Sequence, residues 1–335
     1  MSGVLLCREP HPFPNSLAKV KPLYQNPILG LLSRQNVMVL DGGLATALEA
    51  RGCNLDDELW SAKVLLEAPE LIREVHLDYL RAGADCITTS SYQASLPGFR
   101  RRGADDAEGA ELLALSVRLA LEARDLFWRE ASNRQGRVKP LVAASVGPYG
   151  AFLADGSEYT GHYSIPDSEL YEFHQTRWQV LSQSGADLMA CETIPTKREA
   201  EVLLRLVRET PGQWAWLSFS CRDPQHLSDG GRLQDAAKAC DEEPRVAALG
   251  INCTPPELIA PLIDEARKGT HKPILVYPNS GERYDAADKR WRSSPSPIAW
   301  EEAALEWVRR GAAGVGGCCR VGPERIAEMR RWLVG

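Results

Sequence analysis

Three cysteines pose the chemical question. Cys253 closes one short apolar run, and the vicinal pair Cys318-Cys319 closes another, directly after Gly316-Gly317. Sulfur is a soft donor, and three sulfurs on one ion select zinc over magnesium or calcium. Three protein ligands leave a fourth position open, the pattern of a catalytic rather than a structural zinc site. Thiolate ligands make the ion a poor activator of water, but they suit it to hold a substrate thiol in ionised form. A free thiol of pKa about 8.5 is only a few per cent thiolate at pH 7, and metal coordination removes its proton. Such a sulfur attacks an activated methyl group in line and needs no acid. The same residues also fit ordinary core packing, and Cys318 with Cys319 fits a strained vicinal disulfide. Cys7, Cys53, Cys86, Cys191, Cys221 and Cys240 read as core residues.

Strands must position these sulfurs. Apolar runs of strand length recur eight times, at residues 37–40, 86–89, 141–145, 188–191, 215–220, 247–252, 274–277 and 314–316, each followed by a helical pattern. Most are apolar on both faces, as a doubly covered parallel sheet requires. Residues 68–80 read as an amphipathic helix, with Leu71, Ile72, Val75, Tyr79 and Leu80 on one stripe. Gly83, Gly185 and Gly311 recur at the same helix-to-strand junction, where glycine can take the left-handed conformation that ends a helix. Eight such units predict an α/β fold, a single (β/α)8 TIM barrel over residues 36–335. Residues 1–35 precede it as an extension, expected along its outside. An open doubly wound sheet is the alternative, but Asp41-Gly42-Gly43-Leu44-Ala45-Thr46 lacks the dinucleotide-binding glycine spacing. In a barrel, Cys253 and Cys318-Cys319 end strands six and eight. Two strand steps separate their backbones by roughly 10 Å, which side chains can close. Gly316-Gly317 permits close approach of the backbone.

Composition narrows the class. The chain has 335 residues and a formal net charge of −6, with no basic excess to suggest nucleic acid. No apolar stretch is long enough to span a membrane. The first residues carry prolines at 10, 12 and 14 and no apolar signal core, so a reducing, cytoplasmic setting is expected. The six histidines show no metal spacing, and His162, His174 and His226 read as solvated residues. Arg100-Arg101-Arg102 reads as a solvated surface run.

Asp41-Gly42-Gly43, Cys191-Glu192-Thr193-Ile194-Pro195, Gly250-Ile251-Asn252-Cys253 and Gly316-Gly317-Cys318-Cys319 occur in this order. Together they resemble the motifs of the homocysteine S-methyltransferase family, over about nine-tenths of the chain. The resemblance implies a zinc-dependent barrel that methylates L-homocysteine to methionine, with Cys253, Cys318 and Cys319 as zinc ligands. It makes Asp41 and Glu192 partners for the substrate ammonium, since a buried unpaired charge is costly. Asp41 also fits plain turn formation, Glu192 a rim salt bridge. Asn252 reads as a hydrogen-bonding partner of substrate or as a backbone tether.

Gly147-Pro148-Tyr149-Gly150-Ala151, Leu153 to Tyr159, Leu59-Trp60-Ser61, Ser91-Tyr92-Gln93-Ala94 and Tyr277 to Glu282 resemble the branch that uses S-methylmethionine or S-adenosylmethionine. A sulfonium is a cation with no hydrogen-bond donor on sulfur, and aromatic faces attract such groups. Trp60, Tyr92 and Tyr149 are the aromatic residues expected to do so, each with ordinary packing as the alternative. The betaine-dependent branch carries a C-terminal extension after its cysteine pair, whereas this chain ends at Gly335. Selenohomocysteine remains an alternative acceptor. Rival classes are a zinc-dependent barrel hydrolase and a redox-sensing protein. A monomer or dimer is expected, with no nucleic-acid or membrane partner.

Overall fold

A computed structural model describes residues 25–55, 60–285, 290–292 and 298–335. Eight parallel strands form one sheet: Met38–Val39, Cys86–Thr88, Leu141–Val146, Leu188–Ile194, Ala215–Phe219, Val246–Asn252, Ile274–Tyr277 and Ala312–Val315. Each pairs with its sequence neighbours, and the eighth pairs with the first. A parallel bridge between Leu40 and Cys86 joins the first strand to the second and closes the ring. All eight expected strands are present, with ends displaced by a few residues.

Helices cover the outer face. The helix Pro69–Ala82 buries Ile72, Val75, Tyr79 and Leu80 against the barrel. Gly83 ends it with φ +112°, and Gly185 and Gly311 take φ +89° and +104° at the equivalent junctions. These are the left-handed caps expected of the repeated motif. A short antiparallel pair, Arg283–Asp285 with Arg290–Arg292, stands outside the ring and was not anticipated.

The segment before the first strand corrects one expectation. Residues 27–32 do not run along the outside. Asn26 caps the helix Pro27–Leu32 by accepting from the Ile28 amide, and Pro27 suits its first turn. Ile28 and Leu31 are buried among Met38, Ala143, Leu188, Trp216, Ala247 and Leu275, the lower interior layer of the barrel. Asn26 also donates to the Ala247 carbonyl at 2.8 Å, near the start of strand six. The helix is therefore a plug in the barrel floor, opposite the end where the strands release their loops. Residues 1–24 lie outside the described residues. Among the described residues, no helix is long and apolar enough to cross a membrane.

Candidate active site

The loops after strands six and eight bring the three sulfurs together. Their Sγ atoms all lie within 4.8 Å of one another. Two sulfurs bound at about 2.3 Å to one ion lie at most about 4.6 Å apart, so the trio has the spacing to hold a metal ion once all three sulfurs are free. Cys253 and Cys318 are joined as a disulfide, and Cys319 is free. The bond thus pairs strand six with strand eight, rather than the vicinal pair considered from sequence.

The Cα atoms of Cys253 and Cys318 are 5.7 Å apart, much closer than two strand steps allow. The reason lies in the loops. Cys253 takes φ +46°, which turns the chain inward as it leaves strand six. Its amide donates to the Tyr277 carbonyl at 3.3 Å, and the Cys318 amide donates to Pro278 at 2.8 Å. Both loops fold over the end of strand seven. Gly316 and Gly317 allow close approach, but Gly316 toward the end of the first strand and Gly317 toward Val321 of its own loop, rather than toward the sulfurs. A Cβ on Gly316 would lie 2.5 Å from the Leu40 Cβ, and one on Gly317 would overlap the Val321 side chain. The Gly317 amide donates to the Asp41 carbonyl at 3.0 Å, and the Gly43 amide to the Val321 carbonyl at 2.9 Å. The Asp41-Gly42-Gly43 turn and the cysteine loop are therefore one packed unit.

Asp41 is buried at the end of the first strand. Its carboxylate accepts from the Thr88 amide at 2.7 Å and from the Thr88 hydroxyl at 3.2 Å. Burial holds its carboxyl well above the usual range despite these bonds, and the like charge of Glu192 adds to the effect. Glu192 points toward the barrel axis. Its carboxylate accepts from the Ser145 hydroxyl on strand three at 2.5 Å and from the Tyr277 hydroxyl on strand seven. Burial pushes Glu192 up to about 7. Neither side chain makes the surface salt bridge or simple turn that the sequence also allowed.

An irregularity in strand four explains the aim of Glu192. The register against strand five shifts between Cys191 and Ile194, and Thr193 takes φ +59°. Such a bulge re-aims the side chains beside it. Asn252 holds it in place. Its carbonyl oxygen accepts from the Thr193 amide at 2.9 Å, and its amide nitrogen donates to the Thr193 hydroxyl at 2.8 Å. The structure thus gives Asn252 the tethering task. Thr193 in turn hydrogen-bonds the Tyr92 hydroxyl.

The aromatic candidates divide. Tyr92 lies by the site, with its ring on the Gly147 peptide, where any Cβ would come within 2.8 Å of it. Tyr149 packs elsewhere: its ring lies 5.0 Å edge-on from Phe173 and 5.6 Å from Tyr163. Trp60 sits in a single turn of 3-10 helix, Trp60–Lys63, and its side chain lies outside the described residues.

Sequence reasoning missed two groups. Tyr159 donates a hydrogen bond to Cys319 and neighbours Glu158. His174, expected in solvent, is fully buried. Its Nε2 lies 2.7 Å from Glu199, and its Nδ1 lies 2.9 Å from Arg177. Burial pushes His174 down to about 4, so it is neutral, donating to Glu199 and accepting from Arg177. Arg177 also donates to the carbonyls of Gly147 and Tyr92. This buried chain anchors the loops after strands two and three. Three-residue spacing of His174 and Arg177 on one helix was its only sequence trace.

Comparison with known proteins decides the family. The family model described as homocysteine S-methyltransferase matches residues 38–333. The chain belongs to the homocysteine S-methyltransferase family. It is 52% identical over 307 residues to homocysteine S-methyltransferase YbgG of Bacillus subtilis, covering 92% of this chain and 98% of that one. It is 49% identical over 306 residues to the homocysteine S-methyltransferase of Escherichia coli, covering 91% and 98%. Crystal structures of the homocysteine methyltransferase MmuM from Escherichia coli superpose with TM-score 0.82 in both an oxidized and a metallated form. They share 47% and 46% identity, over 92% and 91% of this chain and 99% of each of those. The family member is a methyltransferase on a barrel.

Proposed function

We propose that the protein transfers a methyl group from S-methylmethionine or S-adenosylmethionine to L-homocysteine, with zinc held by Cys253, Cys318 and Cys319. The observation that carries this reading is the convergence of three sulfurs within 4.8 Å at one end of the barrel. A donor set of sulfur alone fits zinc better than magnesium or calcium, and a relative of the same fold has a metallated form. The Cys253–Cys318 bond must be reduced before both sulfurs can ligate. When bound, zinc keeps the substrate thiol ionised near neutral pH.

The chain's own residues do the rest. Asp41 and Glu192 receive the homocysteine ammonium, two carboxyls held in a buried place where a cation is welcome. Asn252 and Thr193 keep Glu192 and Tyr92 in position. The acceptor sulfur forms a bond to the methyl carbon as the donor's S–CH3 bond breaks. The electron pair of that bond stays on the departing sulfur, which leaves as a neutral thioether. Alignment of the two sulfurs is the protein's main contribution.

The test is a donor panel with the reduced, zinc-loaded protein and homocysteine, scored for methionine. S-Methylmethionine or S-adenosylmethionine should support turnover and betaine should not; turnover with betaine alone overturns the donor assignment. Cys→Ala at 253, 318 or 319 should abolish bound zinc and turnover together. Near-normal turnover without zinc in any of these variants refutes the mechanism.

A further inference from the structure

One carboxylate near the cysteines is only half satisfied: the Glu158 amide bonds it, but one of its oxygens has no partner among the described residues. Glu158 lies in the 3-10 turn Ser157–Tyr159, which follows the short helix Tyr149–Leu153. The turn is held firmly. Asp155 accepts from the Ser157 amide at 2.9 Å, and the Ser157 carbonyl accepts from the amides of Thr160 at 3.1 Å and Gly161 at 2.7 Å. Gly150 lets the helix lie flat on it, because a Cβ there would come 2.5 Å from the Glu158 amide. Yet the Glu158 Oε2 atom is buried with no hydrogen-bond partner. Its charge is felt by Tyr92, Tyr159 and Cys319. A buried acceptor left unsatisfied in an otherwise well-bonded turn calls for a missing partner.

We infer that Glu158, flanked by Tyr92 and Tyr159, receives the sulfonium centre of the methyl donor. This rests on the sulfonium-donor reading above. The acceptor thiolate must form beside the cysteine trio, and an in-line transfer sets the reacting atoms about 3–3.5 Å apart. The donor's cation therefore stands next to Cys319, where Tyr159 already hydrogen-bonds and where the charge of Glu158 reaches. A sulfonium offers no hydrogen to an acceptor, so recognition falls to charge and to ring faces. Burial pushes Glu158 up to about 7, and a cation alongside favours its ionised form.

The sign of the catalytic effect follows. The sulfonium charge disappears as the methyl leaves, so a carboxylate beside it binds the ground state more tightly than the transition state. Glu158 then governs donor affinity more than the rate of the chemical step. Its attraction is lost on the neutral thioether product.

The test uses the reduced, zinc-loaded full chain with S-methylmethionine and homocysteine. Glu158→Gln should raise the donor KM about tenfold or more, the usual weight of a charged contact, with kcat moving less than KM. Homocysteine KM and zinc content should stay within about twofold, and Glu158→Asp should recover part of the donor KM. Equilibrium dialysis gives a second readout: the wild type should prefer S-methylmethionine to neutral methionine, and Glu158→Gln should lose that preference. A donor KM within twofold of wild type, an equal rise in homocysteine KM, or an unchanged preference in dialysis overturns the assignment. Failure of the wild type with every sulfonium donor sinks the parent reading instead, whatever the variant does.

Discussion

Glu192 sits between the hydroxyls of Ser145 and Tyr277, and burial pushes it up to about 7. Its ionisation therefore changes near neutral pH. As pH falls through about 7 the carboxyl gains a proton and its negative charge is lost, so the hold proposed for it on the homocysteine ammonium should weaken. As pH rises above that value the hold is restored. Homocysteine KM should rise on the acid side, and Glu192→Gln should raise KM about tenfold or more at pH 8 and remove its share of the pH dependence. KM measured from pH 6 to 8 for both proteins checks this; parallel profiles would exclude Glu192. Its motif, Cys191-Glu192-Thr193-Ile194-Pro195, is legible as sequence. Its inward aim was not, because that aim comes from the bulge locked by Asn252, 59 positions away in the chain. Glu158 lies in the Leu153-to-Tyr159 motif, but only packing shows that its Oε2 lacks a partner.

At the scale of elements, the loop after strand eight is built against the loop after strand one. Gly317 has no room for a side chain beside Val321, whose backbone carbonyl holds Gly43. Gly317→Ala should push this loop outward and spread the sulfurs. Bound zinc should drop below one equivalent and methyl transfer should fall at least about tenfold, while far-ultraviolet circular dichroism stays unchanged. Shortening the obstructing side chain in Gly317→Ala/Val321→Ala should recover part of the metal, the coupling expected of residues in contact. A single variant with full zinc would show that the loop tolerates the shift. The Gly-Gly pair is readable from sequence as a close approach, but not which surface it approaches. The Glu199–His174–Arg177 chain belongs to this scale as well, since it ties helices to the loops that carry Tyr92 and Gly147.

For the molecule as a whole, the two ends of the barrel have separate duties. The rim holds sulfurs, carboxylates and tyrosines, and the floor is stopped by the helix Pro27–Leu32. Ile28 is fully buried there. Ile28→Ala should cost about 2–5 kcal/mol of unfolding free energy, measured by urea denaturation, and leave kcat and zinc content as in the wild type. A loss of stability below 0.5 kcal/mol would mean that the helix rests on the floor without sealing it.

The sequence by itself determined the eight strand-and-helix units, the left-handed glycine stops and the cysteines and carboxyls placed at the strand ends. Those features are local: hydrophobic periodicity, a glycine at a junction and a sulfur at a strand end are all read from neighbouring residues. Tertiary structure alone decided that Cys253 and Cys318 approach to 5.7 Å between Cα atoms, that His174 is buried and neutral, and that the segment before the first strand fills the floor. Each of these depends on loops or helices meeting across the barrel, where backbone hydrogen bonds and excluded volume, rather than local preference, set the distances.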